Sequence, residues 1–169
     1  WNDNNDEKYR SSYFSKFNKI WNHGDWVTQT VNDGIIVHGR SDSTLNRFGV
    51  RIGTSEIYSA IKDLSYVDDS LIIHLEDNNM NKLILFVMSI SKIDDYELKS
   101  VIRQKCSPRH VPDLIFQTDD IPYTISGKKV EVPIKKILMG QNPNDVVSKD
   151  SLRNPKSLNW FEKFYKNYL

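Results

Sequence analysis

The chain has 169 residues, of which 38% are hydrophobic and 27% charged, so it is long enough for one ordinary domain or for a small domain with a piece of another. Its formal net charge of +1 argues against a dedicated nucleic-acid or membrane-surface binder, because such proteins carry a clear basic excess. No apolar run approaches the roughly 20 residues that span a bilayer, and the single cysteine, Cys106, excludes an internal disulfide and fits a reducing, cytoplasmic compartment. Because the chain begins at Trp1 rather than at a methionine, we expect it to be a fragment of a longer protein.

The first predicted element is a two-stranded hairpin. Residues 26–31 alternate large and polar side chains, residues 35–38 are mostly β-branched, and the Asn-Asp-Gly at 32–34 is a strong signal for a tight hairpin turn. Residues 1–20 show only weak helical spacing. Residues 39–53, which hold three arginines and three glycines, are predicted to form turns.

Helices and strands alternate in the rest of the chain. Asp94 and Glu97 form a capping box that opens a helix, and Pro108 ends it. Apolar residues at helical spacing predict further helices, and short apolar runs predict strands, of which those at 71–75 and 83–88 are apolar enough to be buried. The helices are expected over residues 54–64 and 130–138 and after a polar linker at 141–151, and the strands over 71–75, 83–88 and 113–117. We therefore predict an α+β fold, a small domain in which helices flank a central sheet of about three strands, with the two-stranded hairpin in addition.

The sequence does not support metal or hydrolase chemistry. The four histidines are scattered without paired spacing, so no metal site is predicted. His74 lies in an apolar run and is expected to be a hydrogen-bonded structural residue. The chain lacks a Gly-x-Ser-x-Gly elbow, and the segment ending in Lys128 is not a phosphate-binding P-loop, because Pro122 stands where its first glycine would be.

Several short segments carry residues that could bind a phosphorylated ligand. Asp25 follows a glycine on a turn, where its carboxylate could accept both ribose hydroxyls of a nucleotide or simply support the turn. Arg40 and Arg51 could contact phosphate or ribose oxygens, or belong to a solvated basic loop. Gly49 could let a thin ligand arm pass close to the backbone. Lys128 follows a glycine at the tip of a turn, where its ammonium is either surface charge or a group that reaches into a site.

Taken together, these segments resemble the closing motifs of the adenylate-forming acyl-CoA synthetases. The motifs are His-Gly-Asp at residues 23–25, Gly-Arg-Ser-Asp at 39–42, Asn-Arg-Phe-Gly-Val-Arg-Ile-Gly-Thr-Ser-Glu-Ile at 46–57 and Ser-Gly-Lys at 126–128. The resemblance runs from Trp1 to about Phe161. Residues 8–17, 107–112, 121–132 and 152–158 are most similar to the family members that act on acetoacetate.

The resemblance implies a domain organisation and a reaction. Residues 1–39 would be the end of a large adenylation domain, preceded by the rest of that domain, and residues 40–169 would be a small mobile C-terminal domain. Without its N-terminal partner domain the fragment is expected to be inactive. The family reaction implies that ATP, with Mg²⁺, and acetoacetate give an acyl adenylate and pyrophosphate, and that coenzyme A then displaces AMP to give acetoacetyl-CoA. All of these are substrates, and no tightly bound cofactor is expected.

The resemblance also implies which residues act in the first step. Lys128 matches the catalytic lysine of the family, and Lys129 is expected to be a bystander on the opposite side of the turn that serves solubility. Asp25 matches the ribose-binding aspartate, although the family usually has threonine at the position of His23. Arg40 matches a position that contacts the nucleotide.

Further residues are implied in the second step. Asp42 matches the hinge about which the small domain turns between the two half-reactions. Gly49 would then line the channel for the pantetheine arm of coenzyme A. Arg51, which is also assigned to nucleotide binding, would contact phosphate oxygens, and Arg103 matches a position that holds the 3′-phosphate of coenzyme A in related enzymes.

Two alternatives stay open from the sequence. The chain could come from a member of the same family that acts on acetate or another short-chain acid, because the acid pocket would lie in the part of the enzyme outside this chain. It could also be a non-catalytic module that binds phosphate-bearing ligands.

Overall fold

A computed structural model of the chain describes residues 3–41, 45–47, 49–76 and 80–168. The chain divides into two compact units, Trp1–Thr44 and Leu45–Leu169. The assignment of residues 1–39 and 40–169 to two domains of a larger enzyme stays a prediction.

The first unit contains a short helix, α1 (Glu7–Tyr13), and the predicted hairpin, formed by β1 (Asp25–Gln29) and β2 (Ile35–Arg40). The two strands pair antiparallel, and Asp33 adopts φ 57° in the turn between them. Asn and Asp tolerate positive φ better than other non-glycine residues, which explains why the Asn-Asp-Gly signal located this turn. The hairpin prediction is confirmed.

Local contacts stabilise α1, which the sequence indicated only weakly. The Asp3 carboxylate accepts hydrogen bonds from the backbone N–H of Lys8 at 2.8 Å and of Tyr9 at 2.9 Å, and these bonds lower the pKa of Asp3. Behind the helix, Tyr13 and Trp21 stack with their ring centroids 4.2 Å apart. Both contacts lie outside the helical spacing of apolar residues, so periodicity could not reveal them.

The second unit begins with a small hairpin that was expected to be turns only. In this hairpin β3 (Leu45–Arg47) pairs antiparallel with β4 (Val50–Ile52), and Gly49 lies between them with φ 77°. The apolar Leu45 and Ile52 are directly opposite each other and both are buried. The turn prediction is wrong here because strands of three residues are too short to show an alternating pattern.

The central sheet has three strands, as predicted: β5 (Asp69–Glu76), β6 (Asn81–Met88) and β7 (Leu114–Thr118). Strand β6 lies in the middle, antiparallel to β5 and parallel to β7. Most residues of β5 and β6 are buried on both faces, so these strands have continuous apolar runs in place of an alternating pattern.

Helices cover both faces of this sheet. Alternate strand residues enter two separate cores, because successive side chains of a strand point to opposite faces. The first core lies against α2 (Thr54–Ile61) and α3 (Asp95–Lys105), together with the β3–β4 hairpin, and we call this side the α2/α3 layer. The second lies against α4 (Glu131–Leu138) and α6 (Leu158–Tyr168), and we call it the α4/α6 layer. The short helix α5 (Pro143–Val146) falls in the predicted linker.

The start of α3 follows the sequence prediction. The Asp94 side chain accepts hydrogen bonds from the backbone N–H of Tyr96 and of Glu97, both at 3.0 Å, and so caps the helix. Leu98 and Ile102 on its inner side are fully buried. These two residues pack against strand residues of the sheet, in agreement with the predicted α+β architecture.

Candidate active site

The Lys128 turn, which we define as Thr124 to Lys128, lies between β7 and α4. Gly127 adopts φ 81°, and a Cβ there would meet no atom within 4 Å, so glycine serves this turn through its backbone freedom. The Thr124 N–H donates to the Lys128 carbonyl at 2.9 Å, and the Thr124 hydroxyl accepts from the Lys128 N–H at 3.0 Å. The backbone of Lys128 is thus held tightly, while the residue itself is exposed at the tip. Within the described ranges, no ion pair involves its ammonium.

Lys129 points in the opposite direction. It forms an antiparallel bridge with Tyr123, and its side chain is only 20% exposed. The ammonium donates to Asp69 Oδ1 at 2.6 Å and to the Ser70 carbonyl, and it lies 4.2 Å from the centroid of the Tyr58 ring. The prediction that Lys129 is a solubilising bystander is therefore wrong. Consecutive residues of an extended chain face opposite sides, and Lys129 occupies the inner side.

Two tyrosines complete the surroundings of Lys129. The Tyr123 hydroxyl donates to Asp69 Oδ2 at 2.7 Å. The Tyr58 hydroxyl donates to Glu131 at 2.7 Å and accepts from the Ile72 N–H at 3.1 Å. Burial and then the hydrogen bond to Asp69 raise the pKa of Tyr123, and burial and then the charge of Glu131 raise the pKa of Tyr58 well above its ordinary value. Both phenols are therefore protonated donors at neutral pH.

A second anchored loop carries Gly49. In the β3–β4 hairpin, Arg47 is 7% exposed, and its guanidinium donates to Asp113 Oδ1 at 2.5 Å and to the Val111 carbonyl at 2.5 Å. Asp113 Oδ2 in turn accepts from the Leu83 N–H at 2.7 Å, which ties the hairpin to β6. Gly49 itself is exposed, and a Cβ there would meet no atom within 4 Å. Its φ of 77° is again the reason for glycine.

Arg103 belongs to the same layer as this hairpin. It is an exposed residue of α3, one turn beyond Lys99, whose ammonium donates to the Asp113 carbonyl at 3.3 Å. Asp113 therefore lies between the hairpin and α3. The ammonium of Lys105 on the same helix donates to the Ala60 carbonyl at 2.9 Å, so part of the positive charge near Arg103 is fixed to α2.

The structure does not bring the Lys128 turn and the Gly49 hairpin together. Ile121 and Val130, which flank the Lys128 turn, are buried in the α4/α6 layer. Leu45 and Ile52 of the Gly49 hairpin are buried in the α2/α3 layer. The core residues that flank the two loops thus lie on opposite faces of the central sheet, while Lys129 also contacts Tyr58 of α2.

In the first unit, the strand register brings two predicted nucleotide-binding residues to neighbouring positions. Asp25 is the first residue of β1 and lies directly opposite Arg40 of β2. The Asp25 carboxylate is paired with the imidazole of His23, with 2.5 Å between Oδ2 and Nδ1. The side chain of Arg40 lies outside the described part of the structure.

Two other predicted residues cannot be placed in full. The backbone of Arg51 lies in β4, opposite Asn46, and its side chain is outside the described part. Asp42, the predicted hinge, lies outside the described residues altogether. Their roles stay predictions.

The residues that anchor the two loops are not among those predicted from the sequence. Asp69 is the first residue of β5 and Asp113 directly precedes β7, and each binds a basic residue in a candidate loop or next to one. The sequence signal for these two anchors is an aspartate that stands before an apolar run. It could not name the partner, because Lys129 lies 60 positions from Asp69 and Arg47 lies 66 positions from Asp113.

Histidines of the second unit serve structure. His74 is 2% exposed and its Nε2 is 2.9 Å from the Asn81 side-chain oxygen, which confirms the prediction of a structural histidine. His110 lies between the Ser107 hydroxyl at 2.8 Å and the Glu56 carboxylate at 3.1 Å. Among the described residues, no group of three or more His, Cys, Asp or Glu side chains could hold a metal ion.

Over the same ranges, no helix has the length and apolar character needed to cross a membrane. The cytoplasmic location stays a prediction.

Comparison with known proteins gives a consistent result, although no family model matches the chain. An acetoacetyl-coenzyme A synthetase from Rhizobium meliloti (strain 1021) is 40% identical over 166 residues, which are 95% of this chain and 25% of that protein. An acetoacetyl-CoA synthetase from Xenopus tropicalis is 42% identical over 168 residues, with the same two shares. The solved structure of the acetoacetyl-CoA synthetase from Streptomyces lividans is 37% identical and has a TM-score of 0.91, covering 100% of this chain and 26% of that one.

The chain thus spans about a quarter of the length of the curated relatives that it matches, a share that fits the predicted C-terminal piece. The agreement covers both sequence and fold. Over 95% of its length the chain is therefore similar in sequence, and over its whole length in fold, to acetoacetyl-CoA synthetases.

Proposed function

We propose that this chain is the C-terminal part of an enzyme that converts acetoacetate, ATP and coenzyme A to acetoacetyl-CoA, AMP and pyrophosphate through an acyl adenylate. Residues 1–39 are the end of its large adenylation domain, and residues 40–169 are its mobile C-terminal domain. The names of relatives that are 40% and 42% identical support this assignment, as does the share of their length that the chain covers. Mg²⁺ enters with ATP as part of the substrate, and the isolated chain is inactive.

The observation that carries the proposal is the contrast between two adjacent lysines. Lys129 is fixed inward by Asp69, whereas Lys128 is exposed on a hydrogen-bonded turn and has no carboxylate partner within the described ranges. A lysine that served only solubility would not need such a rigid backbone. Lys128 is instead suited to deliver its ammonium to a partner that approaches the turn.

Lys128 acts in the adenylation step. An oxygen of the acetoacetate carboxylate attacks the α-phosphorus of ATP, and the bond between that phosphorus and the pyrophosphate oxygen breaks. Negative charge develops on the oxygens around the α-phosphorus in the transition state. An ammonium positioned there stabilises the transition state more than the ground state, which lowers the barrier.

Asp25 and Arg40 bind the nucleotide from the first unit. The carboxylate of Asp25 accepts hydrogen bonds from the ribose hydroxyls, and Arg40 lies opposite it in the strand register. His23 Nδ1 lies 2.5 Å from one oxygen of Asp25, so the imidazole helps to orient this carboxylate. Arg51 adds a cationic group for phosphate oxygens of the nucleotide.

The second half-reaction uses the α2/α3 layer. After the small domain turns about Asp42, Gly49 lines the path of the pantetheine arm, and Arg51 and Arg103 bind phosphates of coenzyme A. The location of the Lys128 turn and the Gly49 hairpin in layers on opposite sheet faces supports this alternation, because one rotation can exchange them at a common pocket.

The test measures both half-reactions in a full-length enzyme that carries this chain. Adenylation is followed as acetoacetate-dependent pyrophosphate release, and thioester formation is followed from supplied acetoacetyl adenylate and coenzyme A. We expect Lys128→Ala to lower the adenylation rate by about 100-fold or more and to leave thioester formation within about twofold. Lys136→Ala, which removes another exposed lysine from the neighbouring helix, is the matched control and should change neither rate.

The same assay with acetate in place of acetoacetate tests the substrate. A preference for acetoacetate supports the proposed acid, and a preference for acetate would replace it while leaving the mechanism intact. Adenylation that does not depend on Lys128 would overturn the proposed role of the turn.

A further inference from the structure

One carboxylate of the central sheet, that of Asp69, contacts both limbs at the base of the Lys128 turn. Tyr123 and Lys129 face each other as an antiparallel bridge at the base of the turn. Asp69 holds both of them, since Oδ1 accepts from the Lys129 ammonium at 2.6 Å and Oδ2 accepts from the Tyr123 hydroxyl at 2.7 Å. Asp69 is the first residue of β5, so the clamp joins both limbs of the turn to the sheet.

We propose that Lys129, Asp69 and Tyr123 are positioning residues for Lys128, and that they fix the place from which its ammonium reaches the α-phosphate. This inference rests on the proposed function, because it gives the clamp a purpose only if Lys128 takes part in adenylation. None of the three residues contacts the reacting atoms. They act through the backbone of Lys128.

The buried position of Lys129 sets the direction of the exposed Lys128 side chain. Side chains of consecutive residues in an extended chain leave on opposite sides, so anchoring Lys129 against Asp69 sets the direction in which Lys128 leaves. The hydrogen bonds of Thr124 shape the turn internally but do not tie it to the sheet. Backbone bonds from Ile125 to Ser151 and from Arg153 to Tyr123 tie the turn to the segment after α5. The side-chain clamp is therefore the direct tie to β5.

The charge and burial of the clamp make it suitable for this purpose. The side chains of Lys129 and Asp69 are 20% and 21% exposed, so their ion pair is shielded from most of the solvent. The ring of Tyr58 lies under the ammonium, and the guanidinium of Arg153 lies 4.8 Å from the centroid of the Tyr123 ring. A displacement of about 1 Å at a catalytic group costs on the order of 100-fold in rate, so a loose clamp would be costly even with Lys128 intact.

The test uses four variants of a full-length enzyme that carries this chain. Lys129→Met removes the ammonium and keeps the apolar stem, Lys129→Arg keeps the charge, Tyr123→Phe removes one hydroxyl, and Asp69→Asn removes the charge of the acceptor. We expect Lys129→Met and Asp69→Asn to lower kcat for adenylation about 10- to 100-fold, with the KM for ATP and the thioester rate within about twofold. Lys129→Arg should recover most of the loss, and Tyr123→Phe should lose less than Lys129→Met.

Lys166→Met is the matched control, because Lys166 also pairs with a carboxylate, that of Glu162 at 2.8 Å, but on α6. It should leave both half-reactions unchanged. If Lys129→Met lowers both half-reactions equally, or lowers adenylation no more than the control does, the clamp only supports the fold and the inference fails. If Lys129→Met does not fold, Tyr123→Phe decides by the same criteria.

Lys128→Ala separates this inference from the function on which it rests. If Lys128→Ala abolishes adenylation while a folded Lys129→Met keeps the wild-type kcat, the proposed function stands and the positioning role is overturned. If Lys128→Ala has no effect on adenylation, the proposed function itself fails, whatever the clamp variants do.

Discussion

The Lys128 turn and the Gly49 hairpin use the same construction with different degrees of burial. In each, a glycine with positive φ lies at the tip, and a basic residue two positions away is bound by an aspartate of the sheet region. Lys129 pairs with Asp69 directly after the turn, and Arg47 pairs with Asp113 in the hairpin. The residues assigned to function lie exposed beside the anchors.

The two anchors differ in their surroundings. The Arg47 side chain is 9% exposed and its planar guanidinium binds a carboxylate and two backbone carbonyls, whereas the Lys129 side chain is 20% exposed and its ammonium binds one carboxylate and one carbonyl. The hairpin is thus held as part of the core, whereas the turn is held at the border of the core. Loss of the anchor should therefore cost more stability in the hairpin than in the turn.

The largest expected effect is on stability, from removal of the more deeply buried anchor. Arg47→Met leaves the Asp113 carboxylate and two backbone carbonyls without their guanidinium partner, so we expect the free energy of unfolding to fall by about 3 kcal/mol. Lys129→Met should cost less, about 1–2 kcal/mol, because the Lys129 side chain is more exposed than that of Arg47 and has one carbonyl partner fewer. Urea unfolding of the chain measures both values.

A double variant tests the reason for this difference. Arg47→Met combined with Asp113→Asn removes the uncompensated charge and keeps an acceptor for the Leu83 N–H. It should be more stable than Arg47→Met alone. A larger loss for Lys129→Met than for Arg47→Met would show that burial does not rank the two anchors.

The parts of the fold that the sequence revealed are those with local signals. The Asn-Asp-Gly turn located the first hairpin, the Asp94 cap located α3, and apolar runs located the three strands of the sheet. The β3–β4 hairpin was missed because three-residue strands carry no pattern, and its main stabilising contact, between Arg47 and Asp113, joins distant segments.

The residues of the candidate site also differ in whether a local signal in the sequence could name them. Motif resemblance named Lys128 and Gly49, and both occupy exposed tips of tight turns. The resemblance gave no role to Lys129, because the side on which each of two adjacent lysines lies depends on the bridge with Tyr123 and on Asp69. Such three-dimensional pairing has no signature in a single sequence.

The next largest expected effect is a slower reaction with coenzyme A, caused by a substitution at Gly49 at the tip of the hairpin. Gly49→Leu places a bulky side chain where φ is 77° and where no atom lies within 4 Å of a Cβ, so the side chain would project into the proposed thiol path. We expect thioester formation from supplied adenylate to fall about 10- to 100-fold, with adenylation within about twofold, in a full-length enzyme that carries this chain.

Gly49→Ala separates obstruction from backbone strain. Both variants pay a similar cost of about 1 kcal/mol for the left-handed backbone, but alanine adds only a methyl group. We expect Gly49→Ala to retain most of the thioester rate. Equal losses for the two variants would assign the effect to strain in the hairpin and remove Gly49 from the proposed path.

The smallest expected effect is a change of stability at alkaline pH. It concerns Tyr58, whose ring lies against the ammonium of Lys129. Burial, followed by the charge of Glu131, raises the pKa of Tyr58 well above its ordinary value of 10.0. Above pH 10 the unfolded chain loses this proton while the folded chain keeps it, so the contribution of Tyr58 to stability is complete below pH 10 and is lost as the pH rises further. The slope from one such group is at most about 1.4 kcal/mol per pH unit. Urea unfolding at a series of pH values from 9 to 11 should therefore show a shallower decline for Tyr58→Phe than for the wild type. Parallel curves would mean that the Tyr58 phenol titrates alike in both states, and that the region beneath Lys129 is more open to water than its burial indicates.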